Sequence, residues 1–157
     1  MKLPKKVVWA YIVELTLSAL LVWLAVVVFG LDEVVRFAGK IALTLVGFIG
    51  MGVFAASVAA ILVILQKSDS PFYQWLESKG ALAVYVNGFK YVAYVCVFSF
   101  VIVVALAQNP SSPIVALGTL YVLVLLGINA FTFIHNVTSL MRLEVAYRKK
   151  VNGLSKR

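Results

Sequence analysis

Hydrophobic positions along this chain run in long blocks rather than in short amphipathic repeats. Residues 7–29 form a 23-residue run interrupted only by Glu14, Thr16 and Ser18. At ~1.5 Å per residue such a run reaches roughly 35 Å as a helix, which is enough to cross a ~30 Å hydrocarbon core. Comparable blocks occupy residues 41–65, 81–107 and 113–140. The pattern predicts an all-α integral membrane protein, with four transmembrane helices in an antiparallel bundle forming a single domain. The first block is longer than the ~7–15 apolar residues of a signal-peptide core and no A-x-A site follows it, so it reads as a retained anchor.

The segments between blocks carry turn and cap signals. Asn109-Pro110 marks a turn, and Ser112-Pro113 has the form of an N-cap followed by a first helical position. That short connection predicts a tight hairpin of the third and fourth spans. In SDSPFYQWLESKG, residues 68–80, Ser70 is a candidate N-cap, Pro71 opens a helix and Gly80 ends it. Its Phe72, Tyr73, Trp75 and Leu76 suit a short interfacial helix in the headgroup layer between spans two and three. The fourth helix is expected to continue past the membrane through MRLEVAYRKK, where Glu144 and Arg148 are spaced i, i+4. Both aspartates, Asp32 and Asp69, are expected in loops.

Composition strengthens this picture. The hydrophobic fraction is 63%, against roughly 45–50% in soluble domains, and a 157-residue soluble fold has no interior to hide that surface. The formal charge is +8, and the basic residues cluster by side. Lys2, Lys5, Lys6, Lys67, Lys79, Arg142, Arg148, Lys149, Lys150, Lys156 and Arg157 fall at one set of span ends, and only Arg36 and Lys40 at the other. The positive-inside rule then places both termini in the cytoplasm, in the inner membrane if the source is bacterial. The basic excess faces anionic lipid, and no nucleic-acid partner is expected.

The polar residues inside the blocks are the candidate chemistry. Tyr11, Glu14 and Ser18 lie on one face of the first span. Asn87, Lys90 and Tyr94 lie on one face of the third, and Asn129, Thr132, Asn136 and Ser139 on one face of the fourth. With Ser57 and His135 these predict a polar cluster in the inner half of the bundle, because intramembrane polar side chains face protein rather than lipid. Lys90 does not prevent insertion. It costs about 2.5–3.5 kcal/mol at the bilayer centre, while thirteen Val, Ile, Leu and Phe residues between Val84 and Leu106 each return roughly 0.3–0.6 kcal/mol. Three readings of Glu14 and Lys90 stand: snorkelling to the interface, a structural ion pair, or a working ionic site. His135 reads as an interhelical hydrogen-bonding group, and the Asn136-Val-Thr138 sequon as fortuitous.

In the second span Gly52, Ala56 and Ala60 recur every four residues, a spacing that lets helix backbones approach within a bundle or between subunits. Cys96 is the lone cysteine, so no disulfide framework or cysteine metal site is expected. No nucleophile elbow, metalloprotease helix or phosphate loop occurs, and neither enzyme activity nor a cofactor or metal is expected. The functional expectation is a small membrane-embedded interaction protein: a subunit, toxin-immunity protein or defence effector. It would act through self-association or through a partner protein docked on Arg142, Arg148, Lys149 and Lys150. The alternative is a small proton-coupled transporter or channel using Glu14 and Lys90.

Overall fold

The computed structural model describes residues 5–109 and 112–154, and these are helical throughout apart from short turns. Lys2, Pro110, Lys156 and Arg157, used in the sequence reading, lie outside the described residues. The elements are α1 (Lys5–Phe29), α2 (Leu31–Leu45), a π-helical turn (Val46–Gly50), α3 (Met51–Gln66), α4 (Pro71–Ser78), α5 (Ala81–Gln108) and α6 (Pro113–Leu154). Four continuous helical stretches are long and apolar enough to cross a membrane: Trp9–Phe29, Leu31–Gln66, Ala81–Gln108 and Pro113–Val151. Helix satisfies every backbone N–H and C=O within its own segment, as a hydrocarbon solvent requires.

The largest departure from expectation is at residues 31–40. The sequence places Asp32 in a loop, whereas it sits in the first turn of α2. The connection between α1 and α2 shrinks to Gly30, whose φ of 82° is open to glycine at no steric cost. Asp32 and Glu33 in the first turn complement the positive end of the helix. Val34, Ala38 and Ala42, four residues apart, bury one face. Arg36 pairs with Glu33 at 2.8 Å on the exposed face. Through the π-helical turn α2 continues into α3, giving one stretch of 36 residues.

Helices α5 and α6 are the centre of the molecule. Of their most apolar windows 44% is buried in each, against 11% in α1 and 17% in α2–α3. Phe89 and Phe133 meet edge-on with centroids 5.4 Å apart, within a core that includes Val92, Cys96, Val103, Leu123 and Leu126. Ser99 donates to the Val95 carbonyl at 2.7 Å and lies 3.5 Å from the Val122 carbonyl across the interface. A second cluster joins Val22 of α1, Val34 and Ala38 of α2 and Leu120 of α6. Both α1 and α2 rest against α6, while α3 rests against α5.

At the far end of α3, Lys67–Ser70 turns the chain into α4, with Ser70 at the N-cap position, Pro71 at the first helical position, and Gly80 at φ 68° ending the turn. Phe72, Tyr73 and Leu76 of α4 are buried. The Ser112 hydroxyl accepts from the Val115 N–H at 3.5 Å at the start of α6.

The small residues of the second apolar stretch divide by face. A Cβ on Gly50 would lie 3.6 Å from Leu126 Cδ2 and 3.4 Å from Val46 Cγ1. One on Gly52 would meet nothing within 4 Å. Gly52 and Ala56 are exposed, and Ala60 is half-buried against the core. The three therefore do not form one interior packing seam. A leucine at Gly50 must displace Leu126, so Gly50→Leu is expected to destabilise the protein by roughly 1–3 kcal/mol. Gly52→Leu should leave thermal unfolding in mild detergent unchanged, and equal losses in the two variants would contradict the assignment of faces.

Candidate functional site

Of the polar stripes in the sequence, two converge. Tyr11 and Glu14 of α1 and Asn129, Thr132 and Asn136 of α6 line a cavity of about 170 Å³, closed on the third side by Val84, Gly88, Tyr91 and Val92 of α5. Spacings of three, four and seven residues put each set on one helix face. Gly88 and Ala10 matter by their size, because larger side chains there would fill the space.

Glu14 is half-buried. Its Oε1 accepts a hydrogen bond from Thr132 Oγ1 at 3.1 Å, linking α1 to α6. Its Oε2 is buried and has no partner. Asn129 is completely buried. It donates through Nδ2 to the Leu125 carbonyl at 2.9 Å, and its Oδ1 is left without a donor. The Tyr91 hydroxyl is likewise buried, beside the Asn129 amide. The rings of Tyr11 and Tyr91 stack at 4.2 Å between centroids, tilted by 34°, which carries α1 to α5. Farther along, Tyr121 donates to the Leu15 carbonyl at 3.3 Å, a second tie from α6 to α1.

Lys90 is not part of this constellation. It is exposed on the outer surface of α5, as are Tyr94 on the same helix and His135 on α6. Among the described residues the ion pairs are Arg36–Glu33 and Arg148–Glu144, and neither involves Glu14 or Lys90. Of the three readings of Glu14 and Lys90, the ion pair is thus not formed. Asn87 is half-buried but does not line the cavity. Ser18 and Ser57 are buried, and each hydroxyl donates to the carbonyl four residues earlier, Glu14 at 2.8 Å and Val53 at 2.7 Å. They satisfy themselves locally and present nothing to the cavity.

Tyr91 and Gly88 were not singled out by sequence. They sit on α5 about 100° around from Lys90 and Asn87 respectively, one residue along in each case. The polar signal on α5 is the stripe of Asn87, Lys90 and Tyr94, and nothing in the positions beside it marks the face that turns inward. Thr119, also fully buried with an unpaired hydroxyl, lies higher on α6 outside the cavity.

Chemically the site is a carboxylate with oxygen-rich surroundings and, among the described residues, no adjacent base or cation. An isolated ionised carboxylate is strongly penalised in a low-dielectric interior, so a charge has to be compensated at this position.

A separate cluster lies on the α4 side of the molecule. Phe72 and Trp75 of α4 stack on Tyr147 of α6 at 5.6 and 5.4 Å. Arg142, Arg148, Lys149 and Lys150 are exposed along the same part of α6. Burial, and secondarily the Glu144 carboxylate, push the Tyr73 phenol above its usual range, so it remains neutral beneath this cluster.

The two lining contacts make distinct demands on stability. Thr132→Val leaves Glu14 Oε1 without its donor and is expected to cost about 1–3 kcal/mol. Lys90→Met removes an exposed charge that touches no partner among the described residues and should leave the unfolding midpoint unchanged. Thermal unfolding of both variants in the same detergent checks this, and a Lys90→Met loss as large as that of Thr132→Val would contradict it.

Compared with protein-family models, with curated proteins and with solved structures, the chain shows no match.

Proposed function

We propose that the protein is a membrane-embedded interaction protein, whose membrane helices anchor a braced basic helix that docks a cytoplasmic partner. In this reading the four apolar stretches cross the inner membrane as an antiparallel bundle with both termini cytoplasmic. Helix α4 then lies in the headgroup layer of the cytoplasmic leaflet.

The observation that carries the reading is the continuity of α6. Its 42 residues extend over about 63 Å, about twice the ~30 Å of a hydrocarbon core. The surplus is held against α4 by Phe72, Trp75 and Tyr147, and Arg148 is fixed by Glu144 on the preceding turn. A helix braced in this way presents Arg142, Lys149 and Lys150 as an ordered array, and ordering before contact reduces the entropic cost of binding. An array of that sign fits an acidic protein surface approached along a membrane. The basic ends of the other spans, at Lys67 and Lys79, fall on the same side and add to the field.

A small proton-coupled transporter or channel using Glu14 together with Lys90 has less support. Lys90 faces away from the cavity that holds Glu14, so the two do not make one ionic site.

Gentle solubilisation followed by affinity purification and mass measurement tests the proposal. The wild-type chain is expected to carry a cytoplasmic protein that is released by salt. Lys149→Glu with Lys150→Glu should abolish that association without changing the membrane yield. A chain that purifies alone, or a partner retained by the charge-reversed variant, would refute it.

A further inference from the structure

We propose that the groove between α4 and the end of α6 binds one anionic phospholipid of the cytoplasmic leaflet. The phosphate sits on Lys150, and an acyl chain runs past Ala146 to Leu143. The assignment rests on the placement of α4 in the cytoplasmic headgroup layer given above, and not on the docked partner.

The groove has a volume of about 360 Å³ and is lined by Trp75 of α4 and by Leu143, Ala146, Tyr147, Lys150 and Val151 of α6. That lies within the ~300–1,000 Å³ of small-molecule sites. Counted from Leu143, the α6 residues fall three, four, seven and eight positions on, so they share one helix face. Trp75 and Tyr147 stack with centroids 5.4 Å apart and form a wall. Ala146, small and exposed, leaves the floor open.

Charge and apolar surface are ordered along this groove. Leu143 and Ala146 are at the end nearer the apolar span, and Lys150 lies seven residues beyond Leu143, about 10 Å farther along the helix. A phospholipid of the cytoplasmic leaflet has the same order, with its chains toward the bilayer and its phosphate outermost. Tryptophan and tyrosine favour that same level, where an apolar ring body and a polar tip are both accommodated. A soluble acidic partner would meet the lysine but has no use for an apolar end turned toward the membrane.

The charge selects the headgroup. Lys150 is the only charged side chain among the described residues that line the groove. Of the nearby carboxylates, Glu144 is engaged by Arg148, and Glu77 of α4 does not line the groove. The single uncompensated cation matches one phosphodiester, as in phosphatidylglycerol. A choline headgroup would bring a second cation beside it.

Contact quenching of Trp75 by brominated phospholipids tests the site. The chain has three tryptophans, and Trp9→Phe with Trp23→Phe, both exposed positions on α1, leaves Trp75 as the sole indole. In phosphatidylcholine vesicles containing equal small fractions of brominated phosphatidylglycerol or brominated phosphatidylcholine, the glycerol lipid is expected to be preferred by about fivefold. Lys150→Gln should bring the two lipids to within about twofold of each other. Ala146→Phe fills the groove while leaving every charge in place, and should also remove the preference. Lys67→Gln, outside the groove, should not change it. Thermal unfolding reports whether each variant is folded, and Lys150→Gln alters only an exposed side chain.

Equal quenching by both lipids in the folded parent chain overturns the proposal and leaves the groove to an acidic protein. A preference that survives Ala146→Phe, or that falls as far with Lys67→Gln as with Lys150→Gln, reflects the general basic field and overturns it too. Failure to co-purify a cytoplasmic protein bears on the docking function alone, because these vesicles contain no partner.

Discussion

The contact between α5 and α6 is the interaction on which the rest of this molecule depends. Lipid tails are as apolar as leucine side chains, so burial alone does not drive these helices together. Close packing and a few interhelical hydrogen bonds do so. The α5–α6 interface has both: the edge-on Phe89–Phe133 pair, and the Ser99 hydroxyl shared between its own helix and the Val122 carbonyl. The other long helices attach to this pair from outside. Helices α1 and α2 lean on α6, and α3 leans on α5.

That dependence explains why a cavity exists at all. Helix α1 does not pack along the whole length of α5. It reaches it through Tyr11 and Tyr91, and it is tied to α6 by Thr132 and Tyr121. A helix held by side chains of that size stands off around Glu14, and small residues at Ala10 and Gly88 leave the gap open. Glu14 points into this gap. The α4 cluster is separate from the site: Phe72 and Tyr73 are buried there, and Phe72 and Trp75 pack on Tyr147.

Four long apolar helices could be read from hydropathy, because a membrane span is the one element whose length and composition are both fixed by its solvent. The polar face of α6 was legible too, since Asn129, Thr132 and Asn136 share a stripe that lipid would penalise. Two features were not. Residues 31–40 carry Asp32, Glu33, Arg36 and Lys40, and that charge density outweighed the four-residue spacing of Val34, Ala38 and Ala42. The inward face of α5 was the other. Its conspicuous polar stripe of Asn87, Lys90 and Tyr94 stays out of the cavity, with Lys90 and Tyr94 exposed, whereas the cavity is closed by Val84, Gly88, Tyr91 and Val92. Lysine is the residue for which polarity is the poorest guide to direction, because its flexible stem can carry the ammonium to water from an outward position.

Cysteine cross-linking in native membranes tests most directly the geometry on which the site rests. In a background with Cys96→Ser, Glu14→Cys combined with Thr132→Cys is expected to be bridged by a short bis-methanethiosulfonate reagent, because the parent side chains meet at 3.1 Å and the reagent makes up the two bonds by which a cysteine is shorter than a glutamate. Glu14→Cys combined with Lys90→Cys should remain unlinked, since Lys90 lies outside the cavity. A Glu14–Lys90 cross-link formed in preference to Glu14–Thr132 would contradict this, and would restore a two-charge site to the interior of the bundle.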